Sequence, residues 1–333
     1  MPALQYDVLG IGNAIVDVIA RTEDDFLVRH AMNKGAMALI DEARAEAIYA
    51  SMGPSIQISG GSAANTIAGV ASFGARGAFV GKVKEDALGK AFSHDIRATG
   101  VTFATPLATG GPSTARCYVL VTPDGERTMN TYLGAAQNLS PADLDANQIA
   151  AAGIIYLEGY LWDPPLAKEA FRKAAQIAHG AGRVVALTLS DAFCVDRYRD
   201  EFLNLMRTGA VDLIFANEAE LKSLYQTADF DSALGALRDD VKLAVVTRSE
   251  KGCVVVSRES NQAVPAAPID KFVDATGAGD LFAAGFMTGL SRGQDARTSA
   301  RLGALAAAEV IQHLGARPET SLKGLAEENG LPL

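Results

Sequence analysis

The sequence predicts an α/β protein: a doubly wound, mostly parallel sheet with helices on both faces and a small β-rich lid. Three observations predict it. Beyond Gly153, continuous apolar runs at 154–157, 184–189, 211–215 and 243–247 are separated by helical stretches at about 165–180, 198–208 and 217–240. Apolar runs without polar alternation mark strands covered on both faces. The stretch Asp274-Ala275-Thr276-Gly277-Ala278-Gly279-Asp280 is a glycine turn that runs at once into Leu281-Phe282-Ala283-Ala284-Gly285-Phe286, a helix starting near Asp280. Thr122-Pro123-Asp124-Gly125-Glu126 is a hairpin signal between two β-rich runs, outside the alternating pattern. The chain reads as one domain over 1–333, with the lid formed by about 14–40 and 102–135.

Composition narrows the function classes. With 49% apolar and 21% charged residues the sequence is that of an ordinary globular protein able to bury a large core. Its formal charge is −9 and no Lys/Arg cluster forms a basic stripe, which disfavours nucleic-acid binding. No stretch approaches the ~20 apolar residues that cross a bilayer, so no membrane partner is expected. The N-terminal Met1-Pro2-Ala3-Leu4-Gln5-Tyr6-Asp7 lacks a basic segment followed by an apolar one. Cys117, Cys194 and Cys253 are far apart, without C-x-x-C spacing, and read as reduced thiols of a cytoplasmic protein, a monomer or homodimer.

In chain order, 6–12 is a short apolar run ended by glycine, a buried first strand whose end delivers Asn13 and Asp17 to a surface. Ligands of open α/β sheets bind beyond the carboxyl ends of the strands, so this amide and carboxylate are candidates for hydroxyl recognition; a capping Asn and a solvated Asp are the alternative. Residues 21–50 mix charge with short apolar runs, as a lid piece followed by a surface helix over about 41–52 would. Gly60-Gly61-Ser62-Ala63-Ala64-Asn65 is a turn opening a helix of small residues, where a ligand can approach the backbone; helix–helix packing is the alternative. The hairpin around 122–126 contains few core-type residues, as expected of a lid, and Arg127 lies just past it.

The strand ends beyond 153 carry polar and aromatic side chains. Tyr160, Trp162 and Phe193 follow two of the apolar runs and could clamp a planar ring or simply pack in the core. Asn217 and Glu220, three apart at a helix start, share a face and could hold the water shell of a magnesium ion; an N-capped helix with an acidic first turn is the alternative. Gly303 and 304–308 form either an apolar wall or a tightly packed helix pair. The 274–280 loop presents backbone N–H groups and a helix dipole to an anion, with Asp280 beside it as a proton acceptor. An ordinary turn before an acidic helix start has the same local pattern.

The DATGAGD loop with its small-residue helix resembles the C-terminal signature of the ribokinase-like, phosphofructokinase-B-type kinases. Gly-Gly-Ser-Ala-Ala-Asn at 60–65, followed by Gly81-Lys82-Val83-Lys84-Glu85-Asp86-Ala87-Leu88-Gly89, is similar to the family's N-terminal signature. Ala275 departs from the family pattern, which usually has threonine there. The resemblance covers nearly the whole chain and is strongest toward the adenosine kinase branch, on Gly10-Ile11-Gly12-Asn13 with Asp17, Asp24-Asp25-Phe26-Leu27, Leu187-Thr188-Leu189-Ser190 with Phe193, and 212–218. It implies transfer of the ATP γ-phosphoryl to the 5′-hydroxyl of a nucleoside. Asp280 would be the base, and Gly277, Ala278 and Gly279 would line the anion hole. Arg127 would swing in from the lid. Asn13, Asp17, Gly60, Gly61, Ser62 and Asn65 would hold the sugar, and Tyr160 and Phe193 the base. Asn217, Thr247, Arg248, Gly252, Ala278 and Gly279 would meet ATP, with Mg²⁺ near Asn217 and Glu220 through water. A K⁺ ion is admitted as well. A sugar kinase of the same fold, acting on a ribose- or fructose-like substrate, and a non-catalytic nucleotide sensor are the rival readings.

Overall fold

Strands Tyr6–Ile11, Gly77–Val80, Ala152–Glu158, Val184–Thr188, Leu213–Asn217 and Leu243–Thr247 are parallel and form the middle of a nine-stranded sheet. Thr102–Phe103 closes one edge, and the antiparallel pair Cys253–Ser257 and Asn261–Val264 closes the other. The computed structural model describes residues 3–333; Met1 and Pro2, the start of the N-terminal stretch read above, lie outside it. The middle strands are Val/Ile/Leu/Ala-rich because both faces are covered. Val8, Ile154, Ala186, Leu213 and Val245 face one buried layer. Their neighbours Leu9, Ile155, Val185, Ile214 and Ala244 face the other. All the parallel strands therefore end on one rim. No helix among the described residues is long and apolar enough to cross a membrane.

Helices cover both layers, with boundaries that differ from the sequence expectation for local reasons. The stretch expected over 198–208 begins earlier, as Ala192–Arg207, capped by the Asp191 carboxylate on the Cys194 N–H and interrupted by non-helical angles at Tyr198. The stretch 217–240 is two helices, Glu218–Leu224 and Phe230–Asp240, separated where Gln226 adopts φ +50°. Helices Ala278–Ser291 and Ala296–Val310 pack backbone to backbone: a side chain at Gly285 would strike the Leu302 carbonyl, and one at Gly303 the Phe282 carbonyl.

A second sheet of five strands, in the order Met37–Leu39, Arg127–Tyr132, Ala115–Val121, Ile15–Arg21 and Ser55–Gly60, stands beside the first. Two features of it differ from expectation. Ile15–Arg21 belongs to this sheet, so Asp17 lies mid-strand here rather than at the end of the first strand. The hairpin expected to be poor in core residues has Ala115–Val121 buried along nearly its whole length. The cause is the helix Glu42–Ser51, whose Ala45 and Ile48 pack with Val16, Val18 and Tyr118 on one face of the sheet. The other face carries Asp17, Ile15 and Ile19, and in register with them Ile58, Ile56, Cys117, Val119, Thr131 and Met129.

Candidate active site

Two helix N-termini converge on Asp280. Gly277 adopts the left-handed conformation, φ +81°, which only a residue without Cβ holds at low cost, and caps the helix Ala278–Ser291. The helix thus begins two residues before Asp280. The Ala278 N–H closes the turn on the Ala275 carbonyl at 3.2 Å, which leaves the amides of Gly279 and Asp280 without a partner inside the helix. Gly61, at φ +96°, opens the helix Ser62–Ser72. Ser62 and Asn65, three residues apart, share one face and both reach Asp280: Ser62 Oγ donates to Oδ1 at 2.6 Å and Asn65 Nδ2 to Oδ2 at 3.3 Å. Burial pushes the Asp280 carboxyl up to about 6, against the pull of Ser62, Asn65 and the Arg317 charge. It is ionised at neutral pH and poised to take a proton there.

Asp17 faces the same space from the small sheet. Gly60, its neighbour on the edge strand, has no room for a side chain because the Asp17 carboxylate lies against its Cα. Burial raises Asp17 to about 6 as well; Arg317 and Arg127 pull it down and Asp280 pushes it up. Asn13 is held from behind. Glu158, at the end of its strand and only 1% exposed, accepts from the Asn13 N–H at 3.3 Å, from Asn13 Nδ2 at 2.7 Å and from the Ala63 N–H at 2.8 Å. Burial raises Glu158 to about 7 despite these donors. The amide nitrogen of Asn13 is therefore engaged, while its buried Oδ1 has no partner among the described residues. An orphaned buried acceptor fits a ligand hydroxyl.

Arg127 reaches the 274–280 loop. Its Nη1 donates to the Asp274 carboxylate and to Thr276 Oγ1, the latter at 3.0 Å. Asp274 also accepts from the Thr276 N–H at 3.0 Å, from Thr276 Oγ1 at 2.7 Å and from the Gly315 N–H at 3.1 Å. Burial opposes its charge, but these donors and the Arg127 cation outweigh burial and hold Asp274 below the usual carboxylate range. The loop's hydroxyl thus comes from Thr276, while Ala275 points its methyl to solvent. Sequence reading missed Asp274, Glu158 and Arg317. Arg317 donates from Nη2 to the Ser59 carbonyl at 2.6 Å and to Ser59 Oγ at 3.1 Å. Its local sequence, Gly-Ala-Arg-Pro, carries no signal of this.

On the nucleotide side the expected residues divide. Asn217 and Glu220 form a reciprocal cap: Asn217 Oδ1 accepts from the Glu220 N–H at 2.9 Å, and Glu220 accepts from the Asn217 N–H at 3.0 Å and from its amide at 2.5 Å. Burial raises Glu220 to about 7. Each Glu220 oxygen is already engaged, so the pair does not fit direct metal ligation; the remaining lone pairs fit water around a magnesium ion. Arg248 is tied to Glu218 at 2.8 Å and stacks 3.7 Å from the Phe230 centroid, a fixed element of the turn after Thr247. Gly252, at φ +80°, ends that turn against Val264 and Ala266. Nearby, a cleft of about 760 Å³ is lined by Val264, Ala266, Pro268, Ala304, Leu305 and Ala308, among others. The two readings of the final helices both hold: Gly303 serves the helix pair, and Ala304 and Ala308 face the cleft.

The aromatics separate too. Of the two readings of Trp162 the core one holds: it is 1% exposed and packs on Phe171 and Phe202, with Nε1 donating to Glu201. Tyr160 and Phe193 are 38% and 66% exposed. Tyr160 is braced by Ser190 through its N–H and its hydroxyl, and Arg197 lies 4.5 Å from the Phe193 ring centroid.

The model of the pfkB family of carbohydrate kinases matches residues 56–322. A solved structure of adenosine kinase from Sinorhizobium meliloti is 54% identical, with a TM-score of 0.91 over 98% of this chain and 99% of that chain. A probable sugar kinase from Rhizobium etli CFN 42 is 52% identical, with a TM-score of 0.92 over 99% and 100% of the two chains. The adenosine kinase of Saccharomyces cerevisiae is 28% identical over 327 residues, 92% of this chain and 94% of that protein.

Proposed function

The chain belongs to the pfkB family of carbohydrate kinases, and from that premise we propose that it transfers the γ-phosphoryl of ATP to the 5′-hydroxyl of adenosine. The observation that carries the reading is Asp280, set at the first turn of a helix beside unpaired amides and facing a second carboxylate, Asp17, across the acceptor space. Asp17 and the Asn13 Oδ1 atom accept from the ribose hydroxyls. Asp280 takes the proton of the attacking 5′-hydroxyl as the new O–P bond forms and the bond to the ADP leaving group breaks. The amides of Gly279 and Asp280, with the helix dipole, meet the charge that develops on the phosphoryl, and Arg127 adds a cation from the small sheet, which acts as the lid.

Mg²⁺ would be held through water near Asn217 and Glu220, where it neutralises phosphate charge. The apolar cleft beside Ala304 and Ala308 suits the adenine of ATP. The buried free thiols Cys117, Cys194 and Cys253 suit a reducing cytoplasm.

The sugar-kinase reading has support in the family model and in the 52% identical Rhizobium protein. Against it stands the apolar character of the acceptor side. Tyr160, Phe193 and the small-sheet face bearing Ile19, Ile56 and Met129 would leave a free sugar in an apolar space, whereas a purine ring fills it. A thermal-shift panel of adenosine, other nucleosides, ribose and fructose separates the two: adenosine stabilises the fold, and the free sugars do not.

A further inference from the structure

We propose that Arg317 is a positioning residue: anchored on Ser59, its guanidinium is the fixed cation that lets Asp17 and Asp280 carry charge side by side in the acceptor site. The inference rests on the acceptor-side reading above. In that reading both carboxylates work as acceptors, Asp17 for ribose hydroxyls and Asp280 for a proton. Two like charges facing one partly dry space raise each other's affinity for protons, so one of them tends to be neutral unless a cation is near.

The groups around the pair leave few candidates for that cation. Asp280 is faced by Ser62 and Asn65 from one helix, by Glu158, Tyr156 and Tyr160 from the strand end and the turn after it, and by Arg317. Asp17 is faced by Arg127, Arg317, Asp280 and Cys117. Ser62 and Asn65 are neutral, and Glu158 adds only negative charge. Arg127 also pulls Asp17 down and also leaves a buried Nε without a partner among the described residues, but its Nη1 is on Asp274 and Thr276, it belongs to the small sheet, and it does not act on Asp280.

Arg317 is held differently. Its Nη2 is fixed on Ser59, and the Ser59 N–H and Oγ are in turn fixed on Asp95 Oδ2 at 2.7 and 2.5 Å. Nε and Nη1 are buried without a partner among the described residues. Guanidinium N–H groups are rarely left so; here they lie in the field of three carboxylates, Asp95 behind Ser59 first and then Asp17 and Asp280, and the cation pulls the last two down. Burial lowers Arg317 only to about 10, so its charge persists at neutral pH. The backbone supports the placement. Gly315 donates to Asp274, Ala316 packs on the Cα of Gly277, and Arg317 reaches Ser59, so three consecutive residues join the anion loop to the acceptor side.

The test uses Arg317→Met, which removes the charge without adding an unpaired polar group, and Arg317→Lys, which keeps it. The expected result is that Met moves the acidic limb of the kcat/KM profile for adenosine upward by about one pH unit or more, and that Lys returns most of that shift. In the unliganded wild type, carboxyl-carbon NMR titration should find Asp17 and Asp280 both ionised at pH 7.5. This readout needs neither activity nor a folded variant. An acidic limb unmoved in the Met variant would overturn the proposal, as would equal losses at every pH with Lys no better than Met, or either carboxyl still protonated in the wild type at pH 7.5. Adenosine proving inert while Arg317→Met raises both carboxyl titrations would remove the adenosine reading and support the role of Arg317.

Discussion

Arg127, just past the hairpin turn of the small sheet, donates to the carboxylate of Asp274, 147 residues further along, at the head of the loop that turns into the helix Ala278–Ser291. One contact thus joins the small sheet to the 274–280 loop and holds a guanidinium on Asp274 and Thr276.

Arg127→Ala should lower kcat on the order of 10²-fold, as the loss of one preorganised donor to a transition state does, with a much smaller change in adenosine affinity. Steady-state kinetics beside a binding isotherm separate the two quantities. An unaltered kcat would mark Arg127 as part of the sheet interface and no more.

Asp280→Asn keeps the shape of the side chain and its contacts with Ser62 and Asn65, but removes the proton acceptor. Turnover should fall by roughly 10²–10⁴-fold while adenosine binding weakens far less. Turnover within a few-fold of wild type would remove Asp280 from the role of base.

Four carboxyls, Asp17, Glu158, Glu220 and Asp280, titrate higher in the folded chain than in an unfolded one, chiefly through burial. Between about 4 and 7 the folded state binds more protons than the unfolded state, so their contribution to stability is full at the low end and is lost as pH rises through 6–7. His30, held below its ordinary value by burial and by Arg44 and Arg29, opposes this as a single group. Carboxyls held low, such as Glu218 at about 2 and Asp274, lose their contribution only in stronger acid. The unliganded protein should therefore melt at a higher temperature at pH 5.5 than at pH 8. A higher melting temperature at pH 8 would contradict the burial of these groups.

Phe193 is 66% exposed, with Arg197 4.5 Å from its ring centroid. Phe193→Ala should raise the KM for adenosine at a cost of about 1–3 kcal/mol, the range of base–aromatic stacking, with kcat little changed. An unchanged KM would leave Tyr160 and the apolar face of the small sheet as the walls of the base pocket.

The parallel sheet was legible because strands covered on both faces must be apolar throughout, as Leu213–Asn217 and Leu243–Thr247 are up to their polar ends. The tight turn at the head of the helix Ala278–Ser291 was legible because Gly277 must lack a side chain to hold its conformation. What escaped depends on partners distant in sequence. Ser55–Gly60 is an edge strand of which only the glycine end was read, as a turn, and it pairs with Ile15–Arg21. Glu158 ends an apolar strand and looks like a rim carboxylate until Asn13 and Ala63 close on it. Arg317 takes its meaning from Ser59, 258 residues away. Asn217 and Glu220 show the opposite limit, since a spacing that suits metal-bound water also makes an ordinary helix cap, and the cap is what the side chains form.

ADP release from ATP, with adenosine, ribose and fructose offered separately at equal concentration, reads the acceptor itself. Turnover is expected with adenosine, and none above background with either sugar. Efficient phosphorylation of ribose or fructose with adenosine inert would overturn the adenosine kinase reading.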